Sequence, residues 1–434
     1  MLVVALYNGY ALVESDTGAY IENGIRNIIP NDRSPFYGWF IRFTSLQSTL
    51  WLSLFAQSLL LSWLLIRYIH FFQSGGPRQF VLSLFAIITI VSFTCVPWVV
   101  CYVMPDVFGG ILLLAILLYL EERPGNLVPL IAYTLIIFLA IIIHNSHFLI
   151  TGIFAFALII RSLVKRDKVI LRRGVALLLL SGVGWFLISM INFANGNGFT
   201  FSRGRHVFMV TKLAETGILK TYLNDNCGKE ELKLCKYADQ IPYYSWDFLW
   251  GDASPLYKTG GWDSNKVEYD HIIHGVFTTP KYIKMFAVNA ATSTLRELCQ
   301  VQASEHTSFQ GIWSSPGKRI GIYFPDELNE YCNSRQCNVG VSAIDNNYFY
   351  YLFFVLSTLW LLFHARSIDR KYFFIYGCIF LFFLINAFVT ATFSTVINRF
   401  QNRIFWLLPA TNAILIITYY QGKFHNEEIA CRKK

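Results

Sequence analysis

The amino-acid sequence predicts an all-α polytopic membrane protein of about ten transmembrane helices with one inserted extracytoplasmic domain. Three observations lead to this fold class. The chain of 434 residues is 54% hydrophobic but only 15% charged, whereas a soluble domain carries about 25% charged residues. The apolar residues fall in long runs, as membrane spans of roughly 20 residues require. Basic residues are enriched in alternate loops, as the positive-inside rule describes.

Nine apolar runs are candidate membrane spans. A tenth run, residues 1–13, is too short to cross a membrane, and we interpret it as the end of a first helix. A cleaved signal peptide is the alternative, but the run has no basic start and no A-x-A cleavage site. The other nine runs are 47–72, 80–103, 107–120, 127–143, 148–160, 174–193, 347–364, 372–395 and 404–420.

The distribution of positive charge predicts the orientation. Sixteen Lys and Arg lie at 67–78, 123, 161–173, 366–371 and 423–434, whereas the short loops between these positions carry five. The side richer in Lys and Arg is expected to be cytoplasmic. This distribution also accounts for the net charge of +9, so the charge does not require a nucleic-acid partner. We therefore expect a bacterial inner (plasma) membrane protein with both chain ends in the cytoplasm and the large loop in the periplasm or outside the cell.

This orientation divides the chain into three parts. Residues 1–193 hold the N-terminal spans and a first outer loop at 14–46; 194–346 form the extracytoplasmic domain; 347–434 hold the last spans and a basic cytoplasmic tail. The other outer loops are short. They are 103–107, 144–147 and 396–403.

Five cysteines lie in the long loop, where an oxidising compartment favours disulfides. The close spacing predicts Cys227–Cys235 and Cys332–Cys337, with Cys299 free. Zinc is the other interpretation, but no His lies at a finger-like spacing. The same loop carries Trp246, Trp250 and Trp262, whose rings could stack on a sugar acceptor or simply form the core of a small domain.

Two acids, Glu14 and Asp16, follow directly where the first apolar run stops. Apolar residues then recur at helical spacing from Tyr20 to Ile28, which predicts an amphipathic helix on the membrane surface. Such a helix would hold a carboxylate at a fixed depth, although interfacial solvation alone also explains an acid here. We favour Asp16 as a general base because the positive N-terminal end of the helix keeps it ionised.

Two other outer turns carry polar groups beside apolar runs. Asp106 follows Pro105 and is either a helix N-cap or a pocket acid that could also bind a metal. His144 and His147 are spaced i, i+3 in a tight turn. Ionisable residues at membrane depth favour function, and these imidazoles could donate to phosphate or bind a metal with a carboxylate.

Arg399 and Arg403 are spaced i, i+4 at the outer end of the last apolar run. On a helix they share one face. Their charge opposes the positive-inside trend, so it calls for a reason. Contact with lipid headgroups is one; the other is a cradle for a phosphate or pyrophosphate, which guanidinium groups bind bidentately.

These segments together resemble the GT-C glycosyltransferase superfamily, which includes protein O-mannosyltransferases, lipid A aminoarabinose transferases and oligosaccharyltransferases. The resemblance rests on three segments: "ESDTGAYIENG" in the first outer loop, "MPDVFGGILLLAILLYL", which begins in the second outer loop, and "NRFQNRIFWLLP" near the C-terminus. It covers 1–193 and 347–420 but not 194–346. The insertion before the last spans and the absence of a D-x-D motif near Asp106 depart from the family pattern.

The resemblance implies transfer of a sugar or glycan from a polyprenyl-(pyro)phosphate carrier to a lipid, glycan or protein acceptor. Asp16 would be the base, and Arg399 and Arg403, with His144 or His147, would neutralise the phosphate. A divalent cation, Mg²⁺ or Mn²⁺, is left open as a cofactor. The alternatives are a lipid-linked glycan or solute carrier (a flippase), a His-based acyl- or phospho-transferase, and a catalytically silent scaffold.

The predicted orientation can be tested by labelling single cysteines with a membrane-impermeant maleimide. We expect Lys258→Cys to be labelled in intact cells and Lys168→Cys only after permeabilisation, because 194–346 is predicted to be outside. Labelling of Lys168→Cys from outside would reverse the orientation.

Overall fold

The computed structural model describes residues 1–73, 79–303, 309–341 and 347–432, and the described side chains end at Gly422. The basic side chains predicted for the tail at 423–434 therefore lie outside the described part. Helices account for 77% of the chain, and the residues that the structure describes form no β-strand. The predicted all-α class is confirmed.

The chain begins with three short helices: α1 (Val3–Asn8), α2 (Ser15–Arg26) and α3 (Phe36–Thr44). The segment between α1 and α2 is extended, and Leu12 pairs with Tyr102 in a single parallel bridge. Helix α2 lies where the spacing of apolar residues predicts it, and its buried side is the one that contains Tyr20 and Ile21.

The next seven helices are mostly apolar. The predicted run 80–103 is broken into two helices, because Pro97 has no N–H to donate and is tolerated only in the first turn of a new helix. The seven are α4 (Leu50–Phe72), α5 (Gln79–Phe93), α6 (Val96–Cys101), α7 (Val107–Glu121), α8 (Leu127–Ile143), α9 (His147–Lys165) and α10 (Lys168–Ala194).

The long polar segment is also helical. Its buried residues between Val207 and Tyr282 form a hydrophobic core of their own, whereas those between Val301 and Val341 belong to the main core. Its helices are α11 (Arg205–Glu215), α12 (Ile218–Asn226), α13 (Ser245–Trp250), α14 (Pro255–Lys258), α15 (Gly261–Ser264), α16 (Lys266–Thr278), α17 (Pro280–Leu298), α18 (Ser315–Tyr323), α19 (Leu328–Asn333) and α20 (Arg335–Asn338).

Four helices complete the chain: α21 (Asn347–Phe363), α22 (Arg370–Phe393), α23 (Asn398–Phe405) and α24 (Leu407–Arg432).

Five helical stretches of the described chain are long and apolar enough to cross a membrane, the last formed by α23 and the first part of α24. Helices α5, α7, α8 and α21 are apolar but shorter. These lengths support a membrane protein. The five stretches are Leu50–Phe72, His147–Lys165, Lys168–Ala194, Arg370–Phe393 and Asn398–Gly422.

One of the two predicted disulfides is present. Cys227 and Cys235 are bonded, which closes a short loop after α12. The predicted Cys332–Cys337 bond is not formed: both are free thiols, as is the exposed Cys299. Cys332 lies in α19 and Cys337 in α20, and Ser334, which caps α20, separates these two helices. Sequence spacing carries no information on such a helix break.

Helices α2 and α3 approach each other through two glycines. A Cβ atom on Gly24 would lie against the carbonyl group of Gly38 at less than any van der Waals distance. Arg42 of α3 also donates to the carbonyl oxygen of Ile25 at 3.2 Å. This contact fixes α2, and with it the acids at its N-terminus, against the remainder of the N-terminal segment.

We expect Gly24→Ala to lower the melting temperature of the detergent-purified protein, because the new methyl group must push the α3 backbone away. The cost should be roughly 1–3 kcal/mol, as for other overpacked sites. Gly182→Ala in α10 is the matched control, since no atom of the described chain lies within 4 Å of its Cβ position. Equal melting temperatures for the two variants would contradict the close approach.

Candidate functional site

The acids of the first outer loop lie at the beginning of α2. Glu14 is its N-cap and is 6% exposed; its carboxylate accepts from the N–H of Ser15 at 3.0 Å, and its own N–H donates to Thr17 Oγ1 at 2.9 Å. This is a capping box in which the hydroxyl and carboxyl positions are exchanged relative to the usual S-x-x-E pattern. The sequence ESDT thus begins the helix and fixes the backbone that carries Asp16.

The turn before α7 anchors this backbone. Thr17 Oγ1 donates to the carbonyl oxygen of Val103 at 3.1 Å, and the N–H of Val103 donates to the carbonyl oxygen of Leu12 at 2.9 Å. Asp106, three residues further on, is buried. The acids at positions 14, 16 and 106 are therefore held together by hydrogen bonds between the beginning of α2 and the turn before α7.

A second anchor comes from the end of the long loop. The side-chain amide of Gln336, which is fully buried, accepts from the N–H of Val13 at 3.0 Å and donates to its carbonyl oxygen at 2.8 Å. Glu327 accepts from the hydroxyl of Tyr10 at 2.6 Å. Sequence reasoning did not find these residues, because a polar side chain that binds backbone 323 residues away leaves no local pattern.

Both predicted arginines lie in α23 and face this site. Arg399 contacts three carboxylates: Asp16 at 3.3 Å, Glu14 at 3.7 Å and Asp106 at 3.8 Å. Arg403 Nη1 lies 3.9 Å from Asp106 Oδ1. The structure thus brings together five of the residues that the sequence singled out.

The two arginines are held differently. Arg403 has no exposed side-chain surface, and it donates to Asn386 Oδ1 through Nη2 at 2.5 Å and Nε at 3.1 Å, and to Ser146 Oγ at 3.2 Å. Its aliphatic stem lies over Gly109, where a Cβ atom would be 2.9 Å from Arg403 Cδ. The side chain of Arg399 is 22% exposed, and its hydrogen bonds and ion pairs within the described chain join it to carboxylates.

Asp16 has a second cationic partner, Arg33, at 3.2 Å. Arg33 also binds Asp32 at 2.6 Å and lies over the ring of Tyr20. Burial alone raises the pKa of Asp16, but Arg33 and Arg399 together lower that pKa below its ordinary value. Asp16 is therefore a carboxylate at neutral pH, but one whose basicity is reduced by its partners. Arg33 is one of the five basic residues that the charge distribution assigns to the outer loops, and the sequence alone predicts no role for it.

One of the two predicted histidines, His144, is linked to Arg403. Ser146 Oγ lies 2.9 Å from His144 Nδ1, which also accepts from the N–H of Ser146 at 3.2 Å, so Ser146 links His144 to the guanidinium. Burial, reinforced by His147 and Arg403, lowers the pKa of His144 well below its usual range. His147 Nδ1 binds the carbonyl oxygen of Ala140 at 2.8 Å. Neither ring lines the pocket described next.

The charged groups border a small pocket. Its lining divides by chemistry into a charged wall of four residues and a less polar remainder; Asp16, which pairs with Arg399, does not line the pocket. Three buried polar atoms of the charged wall have no hydrogen-bond partner among the described residues: Asp106 Oδ1, Arg399 Nε and Arg403 Nη1. The charged wall is Glu14, Asp106, Arg399 and Arg403; the remainder is Trp98, Val99, Tyr102, Met104, Gln302, Ala303 and Asn402.

Residues of the long loop also hold the beginning of α23. Glu297, which is fully buried, accepts from the N–H of Ile397 at 3.1 Å, and Asn398 Oδ1 accepts from the N–H of Gln302 at 2.8 Å. Thr395 donates to Glu215 of α11 at 3.2 Å. The long loop therefore positions both the acids of α2 and the arginines of α23.

Other predicted site features lie elsewhere. Trp250 stacks near Trp246 and Trp262, with ring centroids 6.4 and 5.9 Å apart, and none of the three lines the pocket. Within the described residues, no three His, Cys, Asp or Glu side chains are grouped to hold a metal ion. The guanidinium of Arg399 lies where the three carboxylates converge and provides their common cation.

The different burial of the two arginines predicts different effects of substitution by Lys. Arg403→Lys should destabilise the protein by roughly 1–3 kcal/mol, because an ammonium cannot bind Asn386 and Ser146 through a planar fork. Arg399→Lys, the matched control on the same helix face, should change the melting temperature less. Equal decreases in the melting temperatures of the two purified variants would contradict this difference in roles.

Comparison with protein-family models, with curated proteins and with solved structures finds no match to this chain. The resemblance to GT-C enzymes therefore rests on the sequence segments alone and stays a prediction. What the geometry establishes is a pocket lined by carboxylates, guanidinium groups and less polar side chains, assembled by the beginning of α2, the turn before α7 and the beginning of α23.

Proposed function

We propose that the chain is a membrane glycosyltransferase that moves a sugar or glycan from a polyprenyl-(pyro)phosphate carrier to an acceptor on the extracytoplasmic face. One observation carries this proposal: Arg399 and Arg403 line one pocket together with Glu14 and Asp106, and Asp16 pairs with Arg399 beside that pocket. Guanidinium groups that can bind a phosphate thus lie within one side chain's length of a carboxylate that can act as base. Glycosyl transfer from a phosphate requires both.

The pocket suits a donor that is part lipid and part phosphate. Trp98, Val99 and Met104 form its apolar side, which favours the first units of a polyprenyl chain. Among the charged lining residues, Arg399 Nε and Arg403 Nη1 have no hydrogen-bond partner in the described part of the chain. Phosphate oxygens would accept from both, in charge-assisted hydrogen bonds that are stronger than neutral ones.

The reaction follows from these positions. The acceptor hydroxyl oxygen forms a bond to the anomeric carbon while the bond from that carbon to the phosphate oxygen breaks. The leaving phosphate keeps the electron pair, and Arg399 and Arg403 stabilise the charge that develops there. Asp16 takes the proton of the hydroxyl. Direct displacement inverts the anomeric centre.

The proposal includes the topology predicted from the charge distribution: ten spans, a bacterial inner membrane, and residues 194–346 outside the cytoplasm. It gives the long loop two tasks. Gln336 and Glu297 position the site by holding Val13 and Ile397, and the region around Trp250 contributes to the choice of acceptor. Stacking of a sugar on Trp246, Trp250 or Trp262 remains a prediction.

Asp16→Asn should lower the rate of sugar transfer by about 100-fold or more, the usual scale for a positioned base, without loss of donor binding. The assay uses the protein in liposomes with a polyprenyl-phosphate sugar and measures the release of free polyprenyl phosphate. Glu14→Gln should cost far less, because Glu14 caps α2.

Glu22→Gln is the matched control on the same helix, since Glu22 pairs with Arg319 and Arg26 and not with Arg399. A normal rate for Asp16→Asn together with a slow Glu14→Gln would assign the base to Glu14. Normal rates for both would contradict the glycosyltransferase. Movement of the intact lipid-linked sugar across the liposome membrane would then support the carrier.

A further inference from the structure

The charges around the pocket are already paired. Arg33, Arg399 and Arg403 face the carboxylates of Glu14, Asp16, Asp32 and Asp106, so the guanidinium groups do not outnumber the carboxylates. A phosphate that enters this pocket finds no excess positive charge among the described residues. It can bind only if a guanidinium leaves a carboxylate, or if the phosphate arrives with a cation of its own.

The contacts of the two pocket-lining arginines indicate which one can leave. Arg403 is fully buried and fixed by Asn386 and Ser146, which carry no charge. Arg399 is partly exposed, and its contacts of 3.3–3.8 Å to three carboxylates are longer than the 2.7–2.9 Å of a strong charge-assisted hydrogen bond. Arg399 is therefore held by charge from several directions and by no short hydrogen bond among these contacts.

The orientation of Arg399 allows its hydrogen bonds to pass from Asp16 to a phosphate by a short movement. Its Nε is buried, lies 3.8 Å from Asp106 and has no hydrogen-bond partner in the described chain, while its Nη1 and Nη2 donate to Asp16. Arg403 Nη1 is likewise unpartnered beside the same pocket. A phosphate in the pocket would accept from the Arg399 fork once that fork rotates away from Asp16.

We propose that Arg399 is an exchangeable cation, which a bound phosphate or pyrophosphate group draws away from Asp16, whereas Arg403 stays in place. The exchange rests on the proposed function, because it assigns that function's donor to these atoms. It also gives Asp16 two states. Without donor, Asp16 is paired with Arg33 and Arg399; with donor, it keeps Arg33 and regains basicity when a base is needed.

The exchange predicts that removal of a carboxylate strengthens phosphate binding. Asp16→Asn should bind inorganic pyrophosphate about 3- to 10-fold more tightly than the wild type. In this variant Arg399 no longer has to break its partly exposed ion pair with Asp16 before it binds the ligand. Titration calorimetry of the full chain in detergent measures this, first with EDTA and then with Mg²⁺. Glu14→Gln, which removes the longer contact of 3.7 Å, should show a smaller gain.

A double-mutant cycle separates exchange from a general field effect. In an Arg399→Gln background, Asp16→Asn should no longer improve binding; an equal gain there would overturn the exchange. Glu22→Gln removes one charge from the same helix away from Arg399 and should not change the affinity. Weaker binding by Asp16→Asn, restored only by Mg²⁺, would also overturn the exchange and show that the carboxylates hold a cation for the phosphate.

The same measurements keep the two proposals apart. Pyrophosphate binding that tightens in Asp16→Asn, in a chain that transfers no sugar, would leave the exchange standing and contradict the glycosyltransferase. If the wild type transfers sugar but Asp16→Asn does not bind pyrophosphate more tightly, the glycosyltransferase stands and the exchange is contradicted. If neither the wild type nor Asp16→Asn binds inorganic pyrophosphate or a polyprenyl phosphate, both proposals fail.

Discussion

Mutual neutralisation of carboxylates and guanidinium groups is the constraint on which the pocket depends. Glu14, Asp106 and Arg403 are almost completely buried, and a charge taken out of water is costly unless an opposite charge lies beside it. Asp106 makes the point most clearly, because both pocket arginines approach it, at 3.8 and 3.9 Å. Segments far apart in sequence must therefore fold together, or each would bury an unpaired charge.

Backbone hydrogen bonds bring those segments to the same place. The extended stretch before α2 pairs with the turn before α7 through Leu12 and Val103, and Gln336 holds Val13 from the other side. Glu297 holds Ile397 at the beginning of α23. The functional side chains thus lie on the ends of short helices whose positions are set by buried polar groups rather than by the apolar spans alone.

The sequence predicted the helical class, the position of α2 and the residues that carry charge at the site, because periodicity and out-of-place charges are local signals. It did not predict that Arg33 shares Asp16, that Ser146 joins His144 to Arg403, or that Gln336 holds the first outer loop. Each of these depends on residues distant in sequence. The expected Cys332–Cys337 bond was wrong: both cysteines are free thiols, although their side chains lie close enough to interact. Close spacing brings two thiols together but does not decide whether they bond.

One turn of α23 separates two arginines that face the same pocket, and that distance in depth gives them different properties. Arg403, the deeper one, has neutral hydrogen-bond partners, so its position does not depend on the charge of a ligand. Arg399, nearer the surface, is paired with carboxylates, so any anion that enters competes with them. A site that must hold a phosphate and then release it needs both kinds of contact: a fixed donor that defines where the phosphate lies, and a mobile one whose alternative partners limit how tightly it is held.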